Sequence, residues 1–391
     1  VRQLEKDWIS SFLEYTEDLE SPEEFFLWSG LTTLSIVMEK NVWKDRGRFK
    51  VYPNLYTILI GPAGWVKKNQ AIKMGLDLLD DIDNPPLILA QQSTPEAIIS
   101  EMSNGVKQQE GKIKFVSAGV VHAPELSSFL GKKSTNKDLI IFLTDIFDFN
   151  KDIWSKGTQS RGREELYNPC LNLIAGSTPE WLKECIGSSS VAGGFLGRTN
   201  FVYSENPKRP IAHPEDYVTE KIEDLRRKLI FDLNEISKLE GTFSWSQETK
   251  NWYKSWYEKE FESLKNDPLA SLFSRRHVMM IKLGMIISAS EGDSKEITIP
   301  HLEKSKLCLD RLKEGAPQAV ELITTEPSGE DTIKVLNILR KCKRLTRSQL
   351  TRKTTYFIKA EELAKVIDTL EQAEFIRSST TPKGGTIYTL N

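Results

Sequence analysis

The stretch LYTILIGPAGWVKKNQAIKMG, residues 55–75, decides the fold of this chain. An apolar run, 55–60, stops at Gly61-Pro62-Ala63-Gly64; two lysines follow, then a helix-forming segment. Strand, glycine loop, lysine and helix in that order make the layout of a phosphate-binding loop. The glycines let backbone N–H groups turn inward around phosphate oxygens, the lysine neutralises their charge, and the helix N-terminus adds its positive end. The usual pattern, G-x-x-x-x-G-K-[ST], is not matched in full. With Gly61 as its first glycine, Val66 replaces the second, Lys67 is the lysine, and Lys68 occupies the place of the hydroxyl that binds magnesium. An ammonium cannot ligate a metal. Shifted by one, Lys68 becomes the phosphate lysine and Asn69 takes the metal position, where an amide oxygen reaches Mg2+ directly or through water. The candidate nucleotide-binding residues are therefore Gly61, Gly64, Lys67, Lys68 and Asn69, with the second register chemically the more sensible. The alternative is an ordinary strand-to-helix turn carrying two surface lysines.

Composition bounds the rest. The 391 residues suffice for two or three domains with real cores, and a net charge of -2 with 28% charged residues fits a soluble globular protein; the unpaired cysteine spacing fits a reducing cytoplasm. No apolar run approaches a membrane span and no signal-like segment opens the chain. Cys170, Cys185, Cys308 and Cys342 are scattered without a C-x-x-C pair, which argues against structural zinc and against a disulfide framework. Of the four dispersed histidines, His122 lies nearest the expected site.

Working outward from the loop, residues 1–50 read as an N-terminal helical region, with Ser21-Pro22-Glu23-Glu24 as a helix start. Residues 51–210 alternate short apolar strands with helices, the pattern of a three-layer α/β core. Strands are expected at 55–60, 87–90, 114–121, 170–175 and 198–203, and a polar, basic hairpin at 154–168. Residues 211–325 read as all-helical, with Pro317 expected to kink or end the helix over 299–323. The aromatic stripe there, with Trp245 and Trp256, fits helix core better than a base-stacking platform. Glu326-Pro327-Ser328-Gly329 reads as a linker. Residues 328–391 carry twelve Lys and Arg against seven Asp and Glu, so this tail is +5 while the remainder is about -7. Three helical patterns and a glycine-tipped hairpin predict a winged helix. Its basic residues Arg344, Arg347, Arg352, Lys353 and Lys383 suit phosphate contacts, although its third helix begins with Glu361-Glu362.

Several short stretches together resemble one family. They are Phe25-Phe26-Leu27-Trp28-Ser29-Gly30-Leu31, Val51-Tyr52-Pro53-Asn54-Leu55-Tyr56, the loop itself, His122-Ala123-Pro124-Glu125-Leu126, Tyr167-Asn168-Pro169-Cys170-Leu171-Asn172 and Gly194-Phe195-Leu196-Gly197-Arg198. The order and wording are similar to the primase–helicase-like P-loop ATPases of phages, plasmids and other mobile elements. The resemblance covers roughly residues 1–323. It implies a RecA/AAA+-like core, ATP and Mg2+ as nucleotide and metal, and single-stranded or forked DNA as partner. It also implies a ring-forming homo-oligomer, a hexamer by preference, working beside a primase or polymerase module. By position it implies Glu125 as the remaining acid that activates water, with Pro124 in place of the first carboxylate. Ser177 or Thr178 becomes the polar sensor, with an N-cap before Pro179 as the alternative. Arg198 becomes an arginine finger entering a neighbour's site, and Lys156, Arg161 and Arg163 become hairpin contacts to DNA. Asn69 and Glu125 would share the metal. Two departures, at the loop hydroxyl and at the first acid, both touch magnesium, so a non-hydrolysing DNA-binding scaffold or loader is the second expectation.

Overall fold

Tyr56–Ile60 is buried along its whole length because it lies inside a five-stranded sheet. In spatial order the strands are Thr199–Tyr203, Tyr56–Ile60, Cys170–Ser177, Ala118–Ala123 and Ile88–Leu89, and every pairing is parallel. A parallel sheet must be covered on both faces. Successive side chains supply the two contacts. The Tyr56 hydroxyl donates to the Leu143 carbonyl at 2.9 Å, tying one face to the helix Lys137–Phe147. Thr57 meets Thr32 at 2.8 Å, tying the other to the helix Glu23–Met38. That second helix is apolar nearly all round and is buried from Phe25 to Met38 apart from Leu27.

The computed structural model describes all residues except 90–93, 105, 110–111, 132–135, 159–161, 187–193, 266–269, 325–326, 359, 373–374, 381–385 and 391. The chain divides into two compact units, Val1–Ala319 and Val320–Asn391. The first unit unites what the sequence separates into an N-terminal region, a core and a helical region. The uniting contacts are polar as well as apolar. Ser35 Oγ donates to Asn172 Oδ1 at 2.7 Å, and the same oxygen accepts from the Leu55 amide at 2.8 Å. Lys282, on the helix Arg276–Glu291, donates to the carbonyl oxygen of Asn54 at 2.9 Å and to its Oδ1 at 2.6 Å. The two asparagines thus fasten the start of the loop strand, where an unpaired buried polar atom would cost about 1–3 kcal/mol.

Four expectations are corrected. Residues 42–51 form a hairpin, Val42–Asp45 with Lys50–Val51, and Gly241–Thr242 adds a parallel third strand. Burial of alternate residues, Val42 and Lys44, makes this segment strand rather than helix. The expected strand at 114–121 is two strands, Lys112–Phe115 paired with Val106–Gln109, and Ala118–Ala123 in the main sheet. The helix Ile299–Thr324 continues through Pro317, and Pro327 to Gly329 begin a helix instead of forming a linker. Proline in a first turn forfeits a hydrogen bond that the helix lacks anyway.

The second unit holds helices Pro327–Cys342, Arg347–Thr354 and Ala360–Gln372, and an antiparallel sheet ordered Arg344–Thr346, Thr386–Leu390, Ile376–Thr380. Val335, Leu339, Leu350, Leu363, Ile367 and Ile376 meet in its core. The helix Arg347–Thr354 is started by a complete capping box between Thr346 and Gln349. Among the described residues no helix is long and apolar enough to cross a membrane.

Candidate functional site

The loop 61–67 leaves the carboxyl end of Tyr56–Ile60 and enters the helix Lys68–Leu76. Ligand sites in parallel sheets gather at this edge, where neighbouring connections diverge. Strand order makes the edge converge here. The Gly61 amide donates to the Ser177 carbonyl at 3.2 Å, and the Ser204 amide donates to the Ile60 carbonyl at 3.0 Å. Gly61 is required by closeness: a Cβ there would lie 2.4 Å from the Ser204 carbonyl oxygen and 2.7 Å from Val66 Cγ2. Gly64 is required by backbone, at φ +67°. Val66, at the place of the second glycine, is fully buried with no left-handed backbone; that conformation falls on Lys67, at φ 50° and ψ 40°. Ser21 braces the turn from behind, its Oγ donating to the carbonyls of Val66 at 3.1 Å and Lys67 at 3.3 Å.

The two lysines part company. Lys67 is exposed and lies 3.8 Å from Glu20. Lys68 is buried, and its Nζ donates into the loop, to the carbonyl oxygens of Gly61 at 2.7 Å and Pro62 at 3.2 Å. Burial pushes the Lys68 ammonium below its ordinary pKa, while the negative fields of Glu125 and Glu180 oppose that shift. Asn69, next on the helix, faces the adjoining strand ends: a Cβ at Gly176 would meet its Oδ1 at 3.3 Å and the Pro124 carbonyl oxygen at 2.6 Å.

Glu125 follows the strand Ala118–Ala123 and precedes the helix Leu126–Leu130 as its N-cap residue, but its side chain makes no capping hydrogen bond. Its exposed carboxylate is thus not consumed by the helix it precedes. Ser177 and Thr178 lie at the end of the neighbouring strand. Ser177 Oγ donates to the Thr178 carbonyl at 3.0 Å, and Thr178 Oγ1 accepts from the Trp181 amide at 3.4 Å. Thr178 therefore performs the N-cap role. His122 is half-buried, with its pKa lowered by burial.

Besides Glu125, Glu180 is an acid whose field reaches Lys68, and sequence reasoning missed it. Its signal was hidden, since Thr178-Pro179-Glu180 reads as a plain helix start with an acid in the first turn. Its field reaches both Lys68 and Tyr203, whose hydroxyl is pushed up to about 12 by burial first, then by its hydrogen bond to Glu205.

The remaining candidates lie away from the loop. Arg198 precedes the strand Thr199–Tyr203 and so stands at the amino edge of the sheet. Its Nε donates to Asp148 Oδ2 at 2.7 Å and one terminal nitrogen donates to the Gly194 carbonyl at 2.7 Å; Arg275 shares Asp148 at 2.6 Å. Within the chain Arg198 thus forms an ion pair with Asp148. The hairpin Ile153–Thr158 with Gly162–Tyr167 forms as expected. Lys156 pairs with Glu96 at 3.0 Å and Arg163 with Glu165 at 3.0 Å, while Arg161 lies outside the described residues. In the second unit, Arg344, Arg352 and Lys353 are exposed, Arg347 donates to the Tyr388 hydroxyl at 3.1 Å, and Lys383 lies outside the described residues.

Neither protein-family models nor curated proteins match this chain. Among the described residues no three His, Cys, Asp or Glu side chains cluster as a metal site.

Proposed function

We propose that this chain is an ATP-binding ATPase of the helicase type that works on single-stranded or forked DNA, built on a P-loop core with a C-terminal winged helix. The observation that carries the proposal is the Lys68 ammonium, buried at the carboxyl edge of the parallel sheet and aimed at the first two carbonyls of the glycine loop. A buried cation held by neutral oxygens gains most from an anion placed beside it. Phosphate oxygens of ATP are such anions, and the loop amides and the N-terminus of the helix Lys68–Leu76 add to the attraction.

The residues fit a thinly held metal. Mg2+ is commonly bound through one or two protein oxygens, with phosphates and waters completing the octahedron, and Asn69 and Glu125 provide oxygens of that kind at adjoining strand ends. When bound, the ion would neutralise charge on the transferred phosphate. Glu125 would orient the attacking water, and Glu180 supplies a second negative charge near Lys68. Arg198 is held by Asp148 and the Gly194 carbonyl within the chain, so a finger acting on a neighbour's site would require that ion pair to open.

In the second unit, the helix order, the sheet and the basic residues support a winged helix that contacts DNA. A non-hydrolysing scaffold is the second reading, and Pro124 at the first acid position favours it. Two measurements test both. Titration with a fluorescent ATP analogue in the presence of Mg2+ should saturate, and failure to bind refutes the core proposal. Phosphate release, stimulated by single-stranded DNA, supports the motor; tight binding without release supports the scaffold.

A further inference from the structure

The hairpin of residues 42–51 was not expected, and its tip reads Arg46-Gly47-Arg48-Phe49-Lys50. The turn is closed by the Arg46 amide donating to the Phe49 carbonyl at 2.9 Å, with Gly47 at φ +82°. It presents three cations and a phenyl ring that is 51% exposed. The tip stands between two clefts. One, about 430 Å3, is lined by Arg46, Trp245, Lys250, Tyr253 and Tyr257. The other, about 420 Å3, is lined by Phe49, Lys50, Tyr52, Arg275 and His277. Tyr257 and His277 touch edge to face at 5.3 Å, so the two clefts adjoin. Both volumes fall in the range of ligand-binding clefts.

Charge and rings are interleaved here. The Arg46 guanidinium lies 5.1 Å from the Trp245 ring centre and 5.2 Å from that of Tyr253. Lys50 Nζ lies 4.2 Å from the Trp43 ring and Lys44 Nζ 4.6 Å from the Trp245 ring. Among the described residues, Arg46, Arg48, Lys50 and Lys250 have no carboxylate within salt-bridge distance. Two acids line the clefts: Asp45, whose carboxylate accepts from the Gly47 amide at 2.7 Å, and Asp148, shared by Arg198 and Arg275. Cations outnumber these acids, and an incoming anion would relieve the excess. Flat rings beside uncompensated cations suit a polyanion whose own rings are unstacked.

We propose that this hairpin tip and its two flanking clefts form a binding surface for single-stranded nucleic acid, with phosphates on Arg46, Arg48 and Lys250 and a base stacked on Phe49. Alternating phosphates and bases match alternating cations and rings, and stacking accepts any base. Along a duplex every interior base face is covered by its neighbours while a single strand can turn its bases outward, so a preference for single strands follows. The surface lies on the amino side of the molecule's sheet, away from the glycine loop, and it needs no nucleotide.

The test uses the full chain without ATP and fluorescence anisotropy with a labelled oligothymidine and a duplex of equal length. Phe49→Ala should weaken oligothymidine binding about five- to a hundredfold and leave duplex binding within twofold. Arg46→Ala with Arg48→Ala should lower the salt-dependence slope for the single strand by about one to one and a half units. The exposed tip makes both variants foldable, and Lys250→Glu on the helix Gln247–Leu264 repeats the test from a separate element. Lys68→Ala should leave this binding unchanged, which separates it from the fate of the ATPase proposal. Unchanged oligothymidine affinity in Phe49→Ala and Lys250→Glu would overturn the assignment.

Discussion

Lys68→Ala is the most informative single change in the loop. The ammonium donates to two loop carbonyls in the free protein and would exchange them for phosphate oxygens. A charge-assisted hydrogen bond of this kind contributes about 1.5–3 kcal/mol, so affinity for an ATP analogue should fall roughly ten- to a hundredfold. Lys67 offers a matched control. It is exposed, its contact to Glu20 is 3.8 Å, and exposed pairs contribute little, so Lys67→Ala should change affinity less than about threefold. A pH series adds a second readout. Burial holds the Lys68 pKa below its ordinary value in the free protein, and phosphate beside it favours the protonated form. Nucleotide affinity should therefore decline as pH rises through the lowered pKa, with net proton uptake on binding. Calorimetry in buffers of different ionisation enthalpy measures both. Equal losses from the two lysine changes, or a pH-independent affinity, would refute the placement of Lys68 on phosphate.

Lys67→Gly should stabilise the fold by about 1 kcal/mol in denaturant titrations with nucleotide affinity unchanged, because it relieves a left-handed non-glycine residue. Lys282 is fully buried, and burial lowers its pKa to about 7. The unfolded chain then binds more protons between that value and the ordinary lysine range, so stability should rise with pH across the window, and Lys282→Met should flatten the rise. Arg198→Ala and Asp148→Asn should each lower thermal stability, by about 1–3 kcal/mol, with nucleotide affinity intact; loss of nucleotide binding in either would place Arg198 at the loop after all. Arg352→Ala with Lys353→Ala should reduce the salt slope for duplex DNA by roughly one to two units, and an unchanged slope would remove those residues from the DNA surface.

Periodicity and local chemistry made much of the fold legible. The apolar run before Gly61, the strand at Cys170, the basic hairpin at 153–167 and the glycine loop were all readable, because each is decided by neighbours a few residues apart. The hairpin of 42–51 was not, since Val42–Asp45 becomes strand by pairing with Gly241–Thr242, two hundred residues away. Two lysines in sequence carry the same charge and the same reach, and which one enters the loop depends on the left-handed turn at Lys67 and on Ser21 bracing it from another element. The field of Glu180 reaches Lys68 because the parallel sheet sets Cys170–Ser177 beside Tyr56–Ile60. Arg198 was separated from the loop by the direction of its strand, and Asp148, fifty residues earlier, holds it. The sequence by itself determined where strands, turns and charges occur, because those follow from short-range sterics and solvation. The tertiary structure alone decided which charges meet, because parallel pairing joins segments whose separation along the chain carries no trace of their contact.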